Sequence, residues 1–79
     1  MSRWHVYILR CADGTLYTGI TNDLEHRLER HNAGKGAKYT RSRLPVTIVW
    51  KKSCKDESVA RKREAAIKKL SRKEKLALI

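Results

Sequence analysis

Acidic residues are scarce in this 79-residue chain, where 8 Asp and Glu stand against 19 Lys and Arg for a formal net charge of +11. That imbalance disfavours basic partners and points to a polyanion, nucleic acid first of all. Cysteine is scarce too. Cys11 and Cys54 stand alone, without CxxC spacing or nearby paired histidines, which leaves neither a disulfide framework nor a zinc site. Both are expected to be reduced structural thiols. Long apolar runs are missing: VYIL at 6–9, bounded by His5 and Arg10, is too short for a secretory signal or a membrane span, so a cytoplasmic protein without a membrane partner is expected. A peripheral membrane protein would want a long amphipathic face with exposed Trp or Leu, or a lipidation signal, and neither is evident. The chain also lacks repeats, low-complexity tracts and linkers. It reads as a single domain, 1–79, with a small core.

What is present begins with a hairpin. Residues Trp4 to Arg10 and Thr15 to Thr21 alternate around β-branched and aromatic side chains, with Asp13-Gly14 between them. A two-residue turn would pair Tyr7 with Ile20 and send Tyr7 and Tyr17 to opposite faces. A three-residue loop, Ala12 to Gly14, instead pairs Cys11 with Thr15, Leu9 with Tyr17 and Tyr7 with Gly19, which puts both tyrosines on one face. The second register is preferred, because Gly14 then supplies the positive φ that the loop needs and Gly19 leaves room beside the Tyr7 ring.

Asn22 with Glu25 forms a capping-box pattern ahead of a helix that ends near Gly34, and Leu24 and Leu28 give it an apolar stripe. Arg27 and His31, four residues apart, share the face beside that stripe. The following stretch, GKGAKYTRSR, reads as a basic loop with one helical turn. Its Lys35, Lys38, Tyr39, Thr40, Arg41 and Arg43 are candidates for phosphate contacts and base stacking. Pro45 opens a third strand, VTIVW, running to about Lys52. Asp56 or Ser58 caps the next helix, in which Val59, Ala66, Ile67 and Leu70 recur at helical spacing with Ala60 beside them. Glu64 falls on the margin of that stripe, one turn from Ala60. Ser71 and Glu74 form another capping box before a short last helix.

This order of elements, with VYIL, YTG at 17–19, Arg27 and His31 on one helix, HNAGKGAKYTR and a late Glu64, resembles the small single-domain bacterial members of the GIY-YIG nuclease family, which look like the catalytic domain of structure-specific repair endonucleases. The likeness runs from about Trp4 to Leu70. Its tyrosine motifs are HVY and YTG, where the family name has Gly-Ile-Tyr and Tyr-Ile-Gly, and Ile20 stands where some members carry a lysine. The resemblance implies an α+β fold (α/β sandwich-like) of order β-β-α-β-α-α, with a three-stranded antiparallel or mixed sheet flanked by helices. It further implies a metal-dependent phosphodiesterase active in DNA repair. Tyr17 would be general base on an attacking water, with Tyr7 as a second hydroxyl in its network. Arg27 would contact the scissile phosphate, His31 would assist by hydrogen bonding or proton transfer, and Glu64 would hold one Mg2+ or Mn2+.

The chemistry of these side chains suits such roles. A guanidinium fork and a hard cation both stabilise extra charge on phosphate oxygens, and magnesium needs few protein ligands because it keeps several waters. The substrate expected is branched, flapped or single-stranded DNA, since no sequence-reading helix is evident, and DNA is favoured over RNA as the partner. A chain of 79 residues offers limited surface for specific binding, so a protein partner that supplies substrate specificity is expected. Two competing readings are a non-catalytic nucleic-acid-binding module that retains the fold, and a small ribosome-associated or RNA-binding protein. The latter explains the charge but not the Tyr, Arg and Glu pattern.

Overall fold

A computed structural model describes residues 3–79. The chain folds as β1 (Trp4–Arg10), β2 (Leu16–Thr21), α1 (Leu24–Asn32), α2 (Lys38–Arg41), β3 (Thr47–Cys54), α3 (Glu57–Lys68) and α4 (Arg72–Leu78). This is an α+β fold in which helices flank one sheet of strand order β2-β1-β3, and both pairings are antiparallel. The single-turn α2 is the helical turn expected within the basic loop.

β1 is central because its apolar run is continuous. Val6, Tyr7, Ile8 and Leu9 are all buried, so the strand presents a core to both faces of the sheet. Val6 and Ile8 pack with Cys54, Ala60 and Ile67 on the α3 side. Tyr7, Leu9 and Cys11 pack with Val46, and with Tyr17, Leu24 and Leu28, on the α1 side. Cys11 and Cys54 are both buried thiols without a disulfide.

Three details differ from expectation. Asp23, not Asn22, caps α1: its Oδ1 accepts from His26 N at 3.2 Å. Thr21 sets this register, because its hydroxyl oxygen takes the Asp23 N–H at 3.1 Å and holds Asp23 at the helix mouth. β3 begins at Thr47, after Pro45 and Val46, and runs on to Cys54. Val46 is withheld from the strand by the Asn32 side chain, which accepts from Val46 N at 2.8 Å and donates to Val46 O at 3.1 Å. On α3 the buried line is Ala60 and Ile67, whereas Ala66 is exposed. Of the two candidate caps for that helix, Asp56 is the one used, accepting from Val59 N at 2.9 Å. The Ser71/Glu74 capping box forms on α4 as expected.

Candidate active site

The hairpin register decides which side chains can meet. Gly14 takes φ +84°, Gly14 N donates to Cys11 O and Cys11 N to Thr15 O, each at 2.9 Å, and Tyr7 therefore pairs with Gly19 and Leu9 with Tyr17. Both tyrosines lie on the α1 face. Gly19 is needed there for space as well as pairing, since a Cβ at this position would sit 2.5 Å from the Tyr7 hydroxyl and 2.7 Å from its Cζ.

α1 then brings its Arg27 and His31 face down onto the tyrosines. His31 was expected at the edge of the buried face, but it is wholly buried, because α1, α2 and the sheet close around it. Its Nε2 lies 3.1 Å from the Tyr7 hydroxyl and its Nδ1 2.9 Å from Thr40 Oγ1. Its ring also meets Tyr17 edge-on, centroids 5.5 Å apart. Burial, followed by the charge of Arg27, holds the imidazole below its ordinary pKa of 6.5, so it is neutral at pH 7. Burial likewise pushes the Tyr7 phenol up from its ordinary 10.0; Arg27 opposes that rise, while Tyr17 and Glu64 add to it. One hydroxyl thus lies within electrostatic reach of Arg27, Tyr17 and Glu64. The Arg27 Nε is buried and has no acceptor among the described residues.

Stability should follow the protonation of His31. The unfolded chain takes up a proton near pH 6.5 that the folded protein resists, so stability is full above that pH and falls as pH drops below it. The urea midpoint is expected to fall between about pH 7.5 and about pH 5.5, and His31→Gln should flatten this slope. An equal slope in the variant would assign the effect to other groups.

Glu64 comes from α3, where the i, i+4, i+7 spacing of Ala60, Glu64 and Ile67 sets its carboxylate in line with two buried residues. Its side chain is 22 % exposed and its Oε2 pairs with Lys68 Nζ at 3.2 Å. Such half-exposed pairs are weak and readily replaced by another cation. No cluster of three His, Cys, Asp or Glu side chains suited to a metal occurs among the described residues. A single hard carboxylate fits a magnesium ion that keeps most of its waters and would not fit zinc.

The basic loop divides. Lys35, Lys38, Tyr39 and Arg41 are exposed. Thr40, expected among the nucleic-acid contacts, is buried, its oxygen facing His31 and lying 3.0 Å from Ala37 O. Arg43 is half-buried and engaged within the chain: its Nη1 donates to Tyr39 O at 2.8 Å, its guanidinium lies 4.1 Å over the Tyr39 ring, and its Nε pairs with Asp13 at 3.1 Å. Tyr39 in turn stacks on Tyr17, centroids 6.0 Å apart at 24°. Its ring is thus held by its own chain and is not offered bare to a base. The Thr15 hydroxyl and amide, with smaller help from Arg43, hold the Asp13 carboxyl below its usual range, so the stack is anchored to the hairpin turn by an ionised partner.

Residues 3–77 match the model of the GIY-YIG catalytic domain. The chain belongs to the GIY-YIG family. It is 56% identical over 77 residues to a UPF0213 protein of Desulfotalea psychrophila, covering 96% of this chain and 70% of that one. With a UPF0213 protein of Staphylococcus haemolyticus the identity is 48% over 79 residues, covering 100% and 96% of the two chains. The solution NMR structure of a UPF0213 protein from Bacillus halodurans superposes with a TM-score of 0.61 at 44% identity, covering 99% of this chain and 82% of that one. Membership of the GIY-YIG family places the chain among nuclease-type domains. Two features of this GIY-YIG site lie inside the HNAGKGAKYTR stretch but outside the candidate residues named from it. Gly36 packs so closely on His31 that an added Cβ would overlap the ring at Nδ1 and lie 2.7 Å from Cγ. Asn32, next to His31, ties α1 to Val46. The glycine-rich composition of GKGAK was the one available signal for the first.

Proposed function

We propose that this GIY-YIG chain is a magnesium-dependent endonuclease that hydrolyses phosphodiester bonds in branched, flapped or single-stranded DNA. The observation that carries the reading is the buried Arg27 Nε without an acceptor among the described residues, beside a Tyr7 hydroxyl that the Glu64 charge also reaches. A buried donor left unpaired is costly, and a phosphate oxygen is the acceptor that a guanidinium fork suits best.

In this reading Arg27 binds the scissile phosphate and neutralises the charge that grows on its oxygens. Tyr17, half-buried where Tyr7 is closed off, is placed to meet water and accept its proton. Tyr7 and His31 form the hydrogen-bonded network behind it. Glu64 would hold the divalent ion by exchanging Lys68 for it. When bound, that ion supplies Lewis-acid stabilisation of the phosphate. Lys35, Lys38 and Arg41 offer exposed charge for backbone contacts, which makes affinity fall with salt.

The test is a panel of end-labelled single-stranded, duplex, flap and junction DNAs, with RNA counterparts, incubated with the protein and magnesium. Cleavage of flap, junction or single-stranded DNA ahead of duplex and RNA is expected. Tight binding with no cleavage of any substrate would leave a non-catalytic binding module.

A further inference from the structure

Four polar groups run inward from the candidate site in a single file. The Tyr7 hydroxyl lies 3.1 Å from His31 Nε2, His31 Nδ1 lies 2.9 Å from Thr40 Oγ1, and Thr40 Oγ1 lies 3.0 Å from the Ala37 carbonyl. Tyr7, His31 and Thr40 are each at most 1% exposed, so every proton in the file must find its acceptor inside the protein.

A neutral imidazole carries one proton, and the file can be oriented in two ways. In the first, the Thr40 hydroxyl donates to the Ala37 carbonyl, His31 donates from Nδ1 to Thr40, and Tyr7 donates to the bare Nε2. In the second, the two bonds at the ring are reversed: the Thr40 hydroxyl turns from the Ala37 carbonyl to donate to Nδ1, and Nε2–H donates to Tyr7. The Tyr7 proton then needs another acceptor. Besides His31, the Tyr7 hydroxyl interacts with the Arg27 side chain, which offers only donors and so cannot take that proton. The second orientation therefore orphans a buried donor, whereas the first satisfies every group and leaves the Tyr7 oxygen's lone pairs toward Arg27.

We infer that Thr40 is a positioning residue that holds His31 as the Nδ1–H tautomer, so that His31 accepts the Tyr7 proton at Nε2 and the Tyr7 oxygen is presented to the site as an acceptor. Gly36 supports the same arrangement, since the close approach of the loop to the ring is possible only without a Cβ. Thr40 touches none of the reacting groups and acts through His31. The effect on turnover rests on the nuclease reading, but the tautomer does not.

The test is a long-range 1H–15N correlation spectrum of the full chain at about pH 7.5, with His31 assigned by loss of its signals in His31→Gln. Protonated Nδ1 and bare Nε2 are expected in the wild type. Thr40→Val, which removes the acceptor at nearly constant volume, should move the proton toward Nε2, and Thr40→Ser should restore it. On the best substrate of the panel, Thr40→Val should lower kcat by at least about tenfold, in line with the large losses that a wrong histidine tautomer causes elsewhere, with KM nearly unchanged. Thr40→Ser should recover most of the loss. An Nε2–H tautomer in the wild type would overturn the inference, as would a Thr40→Val spectrum identical to the wild type's or an unaltered kcat despite a changed tautomer. Should Thr40→Val fail to fold, the wild-type nitrogen shifts still decide. A wild type that cleaves nothing would count against the nuclease reading, while the nitrogen shifts would still support or overturn the tautomer.

Discussion

Arg27→Ala is expected to reduce magnesium-dependent cleavage by about 10²–10³-fold, the range seen when one preorganised donor to a developing oxyanion is removed. The substitution takes away a guanidinium whose buried Nε has no acceptor among the described residues, so folding loses little beyond its side-chain hydrogen bond to Tyr7 while the site loses its phosphate clamp. It should also leave an electrostatic signature. Arg27 lowers the pKa of both His31 and Tyr7, so its removal should let the His31 imidazole titrate at higher pH and push the Tyr7 phenol higher still. NMR titration of His31 reads the first effect directly. Arg27→Lys keeps a charge but not the fork, and should restore the His31 titration more fully than the cleavage. Wild-type cleavage by Arg27→Ala would remove the residue from the site. An unmoved His31 titration would contradict the described proximity.

Gly19→Ala should be nearly as damaging by a steric route. The added methyl would lie 2.5 Å from the Tyr7 hydroxyl, 2.7 Å from its Cζ and 3.2 Å from Tyr17 Cε2, and the Tyr7 ring has nowhere to retreat because it is buried against His31. Overpacking of this kind typically costs about 1–3 kcal/mol of stability. Displacing a reactive group by about 1 Å can cost about a hundredfold in rate. Urea unfolding and cleavage assays on the same preparation separate the two. A variant of wild-type stability and activity would mean that the ring can move aside, which would undo the close approach of Gly19 and Tyr7.

The hairpin explains why much of the site is legible in the sequence. One residue of loop length separates a register that joins the tyrosines from one that parts them, and Asp13-Gly14 followed by Gly19 is enough to choose between the two. Arg27, His31 and the Ala60/Glu64/Ile67 line follow from helical spacing in the same way. The loop from Gly34 to Arg43 resists such reading because its roles depend on tertiary contacts. Thr40 looks like one more polar surface residue until α2 folds its hydroxyl under α1 onto His31. Arg43 looks like a free cation until Asp13, from a different turn, pairs with it. The Asn22-to-Asp23 shift at the α1 cap has the same origin, a Thr21 side-chain bond that competes with the capping pattern.

Glu64 and the metal are the most direct test of the whole site. On the best-cleaved DNA of the panel, wild type and Glu64→Ala, purified identically, would be compared across a magnesium titration, with EDTA as the zero point. Wild-type cleavage is expected to require magnesium, and Glu64→Ala to lose at least about a hundredfold in rate with a thermal midpoint close to that of the wild type. Magnesium-dependent cleavage that persists at the wild-type rate in Glu64→Ala would contradict that expectation, and would trace the activity to another metal site or to a contaminating nuclease.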